Sequence, residues 1–424
     1  MSSVRKVAIV GSLRIPFSRS FGRYAKVSNS ELMTHTLKSL VEKYKLNEKT
    51  VDEVCLGAVM KHSKDWNMSR EVTIGSGLNP HTVGFDIQQA CGTSLQACIL
   101  MANKIALGQI ECAIAGGTDT NSDLPLVFNQ KFAHRMLDSF SARDTLGKLK
   151  PFLGMNPKEL LPIQPSIVEP RTKKTMGQHC ELMAQEWNIS RKDQDELALN
   201  SHLNAAKAYQ EGFYDDLVTP FHGLEKDNNV RGDSSLEKLS KLKPAFEKSE
   251  KGTLTAGNST PLTDGASCTL LASEEWAKQH NLPILAYFSY SQTSAVDFVA
   301  GEGLLMAPAF AVPKLLAQAN LSLQDFDFYE IHEAFAAQTL CTLKAWESDE
   351  FCKNKLGLDK PLGAIDRSKL NVKGGSVALG HPFAATGTRI VGALAKMLNE
   401  KGSGRGLISI CTAGGMGVTA IIEK

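Results

Sequence analysis

Two blocks of strand-and-helix alternation, separated by a long proline-rich interruption, limit what this chain can fold into. Val7–Val10 is a buried-strand pattern. Met33, Leu37, Leu40, Val41 and Tyr44 then recur at helical spacing, and Val51–Val59 is again strand-like. Gly92–Leu107 is apolar enough for a buried helix and stops at Gly108, a suitable C-cap; Cys112–Ala115 is a short strand ending in Gly116-Gly117. This βαβ alternation predicts a mainly parallel sheet covered by helices. From about 121 to 250 the character changes. Pro125, Pro151, Pro157, Pro162, Pro165 and Pro170 accumulate among scattered Lys and Arg, and one helix starts at Ser190 with Asp193 in a capping-box-like position and runs towards Gly212. That region is an insertion or cap, because the alternation returns after Gly252.

At 424 residues and 42% hydrophobic the chain can bury a large core, and two or three domains are expected. Its 47 Lys+Arg nearly balance its 45 Asp+Glu, which argues against nucleic-acid binding over a wholly basic surface but leaves room for a local patch against a small phosphorylated ligand. Nine cysteines, odd in number and without short paired spacings, support neither a disulfide scaffold nor a CxxC zinc site. The N-terminus runs directly into Val7–Val10, with no signal or transit pattern, and no apolar run approaches the ~20 residues that span a bilayer. A soluble, cytoplasmic protein with no integral membrane segment is the expectation.

Four stretches could carry chemistry. Cys91 precedes Gly92, Thr93, Ser94 and the long apolar helix. A thiol at a helix N-terminus feels the positive end of the dipole and faces unpaired N–H groups, so its pKa should fall. The plainer alternative is a small buried apolar residue, the reading taken for Cys55, Cys98, Cys112, Cys180, Cys268, Cys341 and Cys352. In Gly374–Pro382, Pro382 suits a first helical position in a helix reaching about Leu398, which puts His381 where a helix dipole disfavours imidazolium and keeps the ring a base. The stretch is not a P-loop, because His381 stands where the lysine is required. Cys411 follows the buried strand Leu407–Ile410 and leads into Thr412-Ala413-Gly414-Gly415, where glycines free the backbone to present N–H donors. His332-Glu333-Ala334-Phe335 follows the strand-like Phe326–Ile331. For each of these a surface or packing role remains open on residues alone, since sequence does not show which side chains meet. A faint echo links the halves: a reactive residue opens a helix at Cys91 and again at His381, and glycines close a strand at Gly116-Gly117 and again after Cys411.

Taken together, QQACGTSLQA around Cys91, HEAFAAQ from His332, NVKGGSVALGHPFAATG around His381 and CTAGGMG from Cys411 resemble the thiolase superfamily. GTLTAGNSTPLTDGA (252–266) resembles its coenzyme A-binding stretch, and RGDSSLEKLSKLKPAF (231–246) the segment leading into it. The resemblance spans more than 300 residues in order. It implies an α/β thiolase fold: two similar βαβ-type halves, residues 1–275 and 276–424, layered α-β-α-β-α, with a loop domain inserted at about 121–250.

The resemblance also implies roles. Cys91 is the nucleophile, and His381 takes its proton and later that of the incoming coenzyme A. Cys411 is the acid/base on the α-carbon of the acetyl unit. One oxyanion hole uses the N–H groups of Cys91 and Ala413; the other uses His381 with His332. Arg231, Ala256 and Thr260 contact coenzyme A, with Arg231 suited to its nucleotide or phosphate. Two positions depart from the common pattern: His332 stands where asparagine is usual, and Ala413 where glycine is frequent. Both side chains at 332 can donate a hydrogen bond, and only the N–H of residue 413 is used. The HEAF, ALGHPFAATG and STPLTDGA stretches, with Thr175 in Lys174–Gly177, are most similar to the β-subunit group of fatty-acid-oxidation (trifunctional) complexes.

The expected activity is therefore thiolytic cleavage of 3-ketoacyl-CoA through acyl-Cys91 in fatty acid β-oxidation. The alternative is a biosynthetic acetyl-CoA acetyltransferase making acetoacetyl-CoA. A decarboxylating ketoacyl synthase would match Cys91, His332 and His381 but has no use for Cys411. No metal or bound cofactor is required, coenzyme A being a substrate. A homodimer or homotetramer is expected, and the likeness also allows a hydratase/dehydrogenase α-subunit as partner.

Overall fold

A computed structural model describes residues 4–49 and 51–424. Its strands are β1 (Val7–Arg14), β2 (Ser18–Arg19), β3 (Glu53–Gly57), β4 (Val83–Ile87), β5 (Cys112–Asp119), β6 (Thr263–Ser273), β7 (Ala286–Ala295), β8 (Phe328–Ile331), β9 (Arg405–Thr412) and β10 (Met416–Glu423). Its helices of eight residues or more are α1 (Asn29–Lys43), α2 (Met68–Gly75), α3 (Thr93–Ala106), α4 (Gln130–Ser141), α5 (Met176–Glu186), α6 (Arg191–Gln210), α7 (Ala307–Ala319), α8 (Ala336–Glu347) and α9 (Thr386–Lys401).

The strands form one ten-stranded sheet in the order β4-β3-β5-β6-β1-β7-β10-β9-β8, with β2 on β6. The order repeats. Matching β1 with β7, β3 with β8, β5 with β9 and β6 with β10 gives the same neighbours twice. The hydrogen-bonding sense repeats too: β3/β5 and β8/β9 are parallel, while β5/β6 and β9/β10, β1/β6 and β7/β10 are antiparallel. The two copies meet at a short antiparallel seam, Ala8 opposite Tyr287 and Ile9 opposite Ala286.

The mainly parallel sheet expected from the alternation is therefore wrong: among the described residues six strand pairings are antiparallel and three parallel. The physical reason lies in the connections. β9 and β10 are joined by the three residues 413–415, and only antiparallel strands can be closed by so short a loop. β5 likewise runs four residues past Ala115, to Asp119, through the glycine pair.

Three cores define the layers. The middle one packs α3 and α9 (Leu95, Ile99, Ile390, Leu394) between Ala113 and Ala115 of one repeat and Ile408, Ile410 and Val418 of the other. An outer core sets α1 (Leu37, Leu40) and α2 (Val72) on Val54, Ile114 and Leu270. The opposite outer core sets α5 (Met183), α7 (Val312, Leu315) and α8 (Leu340, Leu343) on Leu407 and Ile421. The result is the α-β-α-β-α arrangement. Burial of apolar faces at ~25 cal/mol per Å2 on both sides of each sheet holds it together.

Residues 121–262 contribute no strand to the main sheet. Their first part, around α4, leaves Phe128, Leu137, Phe140, Leu149 and Leu153 exposed. Their later part is built into the fold: Ser190 caps α6 by accepting from the N–H of Asp193, as the sequence suggested, and Thr175 caps α5 in a full capping box with Gln178. Among the described residues no helix is long and apolar enough to cross a membrane.

Candidate active site

α3 and α9 lie side by side in the middle layer with their N-terminal ends together, and each end carries one of the reactive residues. The approach is close because α9 has no side chain at Gly387: a Cβ there would stand 2.2 Å from the backbone nitrogen of Leu95. Cys91 sits in a single 3-10 turn, Ala90–Gly92, that leads into α3, and the preceding Ala90 is held at φ 46°. A left-handed alanine is strained, and the strain turns the chain sharply so that the thiol faces the other repeat. Gly92 is required for the same reason: a Cβ there would meet Val418 Cγ2 at 2.6 Å.

His381 does not open α9 directly. Pro382 caps a 3-10 turn, Phe383–Ala385, and the α-helix begins only at Thr386, four residues later than the proline suggested. The N–H of His381 donates to Thr263 Oγ1 (2.8 Å) on β6, and its Nδ1 contacts Thr386 Oγ1 at 2.5 Å. Its Nε2 lies 3.1 Å from the sulfur of Cys91. The expected nucleophile and base are thus brought together from residues 290 apart in sequence.

The electrostatics correct one expectation. The Cys91 thiol is not lowered; burial pushes it up to about 12, against the pull of the backbone N–H groups of Ala413 and of Cys91 itself, which point at the sulfur. A thiolate here gives up its hydration, and two partial positive charges restore only part of that. His381 moves the way foreseen but mainly for another reason: burial, then Arg389, brings it down to about 3, so the ring is a neutral base. Cys91 and His381 therefore rest as a neutral thiol and a neutral imidazole.

β9 delivers Cys411 beside this pair, fully buried, with its thiol pushed well up by burial and by the nearby sulfur of Cys91. Thr412 and Met416 pair across the hairpin, and Gly414 (φ 77°) and Gly415 (φ 71°) supply the left-handed turn that aims the Ala413 N–H inwards. β8, parallel to β9, delivers His332, whose N–H donates to Ser409 O (2.8 Å). The His332 and His381 rings are 4.1 Å apart between centroids. The ligating atoms of Cys91, His332 and His381 all lie within 4.8 Å of one another, a spacing that could hold a metal ion as well as a reacting carbonyl.

Several supporting residues, some inside these motifs and some outside, hold the reactive ones in place. Glu333 is buried and accepts from Ser201 Oγ (2.7 Å), Asn371 Nδ2 (2.6 Å) and the Val377 N–H (3.1 Å), tying the HEAF turn to α6 and to the glycine-rich segment. Asn371 also exchanges hydrogen bonds with both backbone groups of Ile331 (3.0 and 2.9 Å). Asp119, at the end of β5, accepts from the N–H groups of Val59, Met60 and Ala384 (2.7–2.9 Å) and so fixes the turn that follows His381. Burial raises its pKa to about 7. Arg389 and Ser376 back the two histidines: Arg389 Nη2 donates to Ser376 Oγ (2.7 Å), which is 2.7 Å from His332 Nδ1.

Of the three residues expected at coenzyme A, Thr260 has direct contact with the HEAF turn. Thr260 binds the Ala334 carbonyl through its N–H (3.1 Å) and Oγ1 (3.2 Å), and Leu262 bridges to His381, so the 252–266 stretch runs between the HEAF and GHP turns. Ala256 is exposed on the same stretch. Arg231 is exposed; its N–H donates to His202 Nδ1 (3.3 Å), and burial, then the charges of Arg231 and Arg19, bring His202 down to about 4.

Family models describe this layout: thiolase, N-terminal domain, over residues 7–275, and thiolase, C-terminal domain, over residues 282–424. The chain belongs to the thiolase family. The 3-ketoacyl-CoA thiolase of Shewanella sp. (strain W3-18-1) is 40% identical to it, covering 99% of this chain and 97% of the relative. That of Yersinia pestis (strain Pestoides F) is 39% identical with the same coverage. The solved acetyl-CoA acetyltransferase of Bacillus anthracis superposes with a TM-score of 0.83 at 32% identity, covering 100% of both chains. Human mitochondrial 3-ketoacyl-CoA thiolase in complex with CoA superposes at 0.82 and 29% identity, covering 100% and 99%. The thiolase fold, with its mixed sheets and paired central helices, is thus what carries the neutral thiol–imidazole pair.

Proposed function

We propose that this thiolase cleaves 3-ketoacyl-CoA with coenzyme A, giving acetyl-CoA and an acyl-CoA two carbons shorter, through an acyl group on Cys91. The observation that carries the reading is Cys91 Sγ, 3.1 Å from a neutral His381 Nε2, with the N–H groups of Cys91 and Ala413 converging on the sulfur. His381 accepts the thiol proton as the sulfur attacks the 3-keto carbon. The developing oxyanion is held by the Cys91 and Ala413 N–H groups. The C2–C3 bond then breaks, its electrons pass into the acetyl-CoA enolate, and the thiol of Cys411 protonates that carbon. His332 and His381 donate to the enolate oxygen while it carries charge. The proton held by His381 then passes to the Cys411 thiolate, leaving both groups neutral. Coenzyme A enters, gives its thiol proton to the freed His381, its sulfur displaces the acyl group from Cys91, and His381 returns that proton to the Cys91 sulfur.

Coenzyme A is a substrate in this scheme, and we infer that Arg231 meets its phosphates and Ala256 and Thr260 its pantetheine arm. The names of the relatives support a place in fatty acid β-oxidation. The match to an acetyl-CoA acetyltransferase keeps synthesis of acetoacetyl-CoA as the second reading. We further propose halves of residues 1–275 and 276–424 with the loop domain at about 121–250, a cytoplasmic homodimer or homotetramer, and a hydratase/dehydrogenase α-subunit as the hetero-partner to test.

The test is intact-mass measurement of the enzyme mixed with 3-ketoacyl-CoA and no free coenzyme A. One added acyl mass on Cys91, absent from Cys91→Ala, is expected; full thiolysis by Cys91→Ala would overturn the reading. A chain-length series from C4 to C16 separates the two directions of flux, since only a long pocket raises kcat/KM with length.

A further inference from the structure

We propose that Arg389 and Ser376 form a positioning relay that locks His332 in the tautomer with its proton on Nε2, making this histidine a neutral hydrogen-bond donor equivalent to an asparagine amide. The inference rests on the oxyanion role assigned to His332 above. It gives roles to Arg389 and Ser376, neither of which has one in that reaction scheme.

The count of protons among three side chains fixes the tautomer. A guanidinium has donors and no acceptor. Arg389 Nη2 lies 2.7 Å from Ser376 Oγ, so Ser376 accepts there. The hydroxyl has a single hydrogen, Ser376 is wholly buried, and its remaining neighbour is His332 Nδ1 at 2.7 Å. If Nδ1 carried the proton, it would donate to an oxygen already facing the guanidinium, and the serine hydrogen would be buried with no acceptor. An unpaired buried donor costs about 1–3 kcal/mol. The arrangement that satisfies every atom has Ser376 donating to Nδ1, and the imidazole proton is then on Nε2.

That nitrogen is the part of the side chain left over. His332 is 1% exposed, and its Nε2 has no hydrogen-bond partner. His332 belongs to the cluster with Cys91 and His381. An orphaned donor held at a reacting centre is an oxyanion donor waiting for its acceptor. Protonation to imidazolium is opposed by burial, by His381 and by Arg389, which together hold His332 well below its ordinary range. Glu330, itself buried, sits 3.9 Å from Arg389 Nη1 and keeps the guanidinium in line. The same tautomer leaves no lone pair on His332 Nε2 for a metal ion, and the one on Nδ1 is taken by Ser376. An asparagine at 332 carries its N–H groups on one fixed atom, so it has no tautomer to be chosen and no need of the relay.

The test is a set of four variants in steady-state thiolysis, with 15N spectra of histidine-labelled wild-type enzyme. Ser376→Ala should lower kcat by ~10–100-fold, the scale seen when the partner orienting a functional histidine is lost, with KM changed less than about threefold. Ser376→Thr, which keeps the hydroxyl, should recover activity to within about threefold. In the His332→Asn background, Ser376→Ala should cost less than about threefold. The wild-type spectrum should show a pyrrole-type Nε2 and a pyridine-type Nδ1 for His332. Equal losses from Ser376→Ala in both backgrounds, or a pyridine-type Nε2, would overturn the relay. The spectrum decides even if Ser376→Ala folds poorly. The underlying reaction is tested separately, by acylation at Cys91, so its failure is distinguishable.

Discussion

Gly387→Ala probes how far the site depends on the contact between the two central helices. The added Cβ would stand 2.2 Å from Leu95 N and 2.9 Å from Leu95 Cα, where ordinary contact begins near 3.4 Å. α9 must then move about 1.2 Å from α3 at their N-terminal ends, since neither backbone atom can turn aside. Cys91 rides on one end and His381 on the other, so their 3.1 Å contact would lengthen towards about 4.3 Å and cease to be a hydrogen bond. Overpacking of this kind costs ~1–3 kcal/mol of stability. Misplacing reacting groups by about 1 Å costs ~100-fold in rate. The expected signature is a loss of ~100-fold in kcat with a Tm lowered by only a few degrees, read by thiolysis kinetics and thermal unfolding. Leu95→Ala added to Gly387→Ala should not restore the rate, because the clash is with backbone. If Gly387→Ala kept kcat within threefold, helix spacing would not set the thiol–imidazole geometry.

In the free enzyme, alkylation of Cys91 by iodoacetamide should climb about tenfold per pH unit from 7 towards 10, because burial places the thiol above the ordinary ~8.5; a plateau reached by pH 7 would show a lowered thiol instead. Cys411→Ser should still exchange acyl groups between Cys91 and coenzyme A yet lose carbon–carbon cleavage by ~100-fold or more, since a hydroxyl is a far weaker acid than a thiol; equal loss of both half-reactions would remove Cys411 from its step. Glu333→Ala should leave the Ser201 hydroxyl hydrogen, one Asn371 amide N–H and the Val377 N–H without their acceptor, at ~1–3 kcal/mol each before relaxation. A denaturant midpoint unchanged from wild type would show that the carboxylate does not hold the HEAF turn.

The sequence was most informative where chemistry and local structure coincide. Cys91, His332, His381 and Cys411 each sit at the junction of a strand or glycine-rich loop with the next element, and the structure brings Cys91, His332 and His381 into one cluster with Cys411 close to the Cys91 sulfur. The helix and strand periods around them were also legible, as α1, α3 and α6 show. Strand direction was not. Periodicity records which face of a strand is buried, and β6 and β10 are buried on both faces, as parallel strands would be, because helices cover both sides. The hairpin at 413–415 holds the missing information, and its glycines serve both to turn the chain and to present N–H donors. Asp119 and Arg389 left no trace, and Asn371 stood in a motif without a role, since a buried polar side chain is recognisable only through partners tens or hundreds of residues away.

The thiol shows the same limit in energetic form. A helix start next to Cys91 correctly suggests N–H groups aimed at the sulfur, and the structure supplies them from Cys91 and Ala413. What sequence could not weigh is the opposing cost, because the depth of Cys91 depends on β9, β10 and α9 closing over it. Burial wins at rest. The N–H groups that fail to stabilise a thiolate there are better placed to act later, on the oxygen that becomes charged as the carbonyl is attacked. A resting thiolate would draw those donors to the sulfur and leave less of their effect for the transition state. Keeping Cys91 and His381 neutral until substrate arrives therefore reserves the electrostatic stabilisation for the step that needs it.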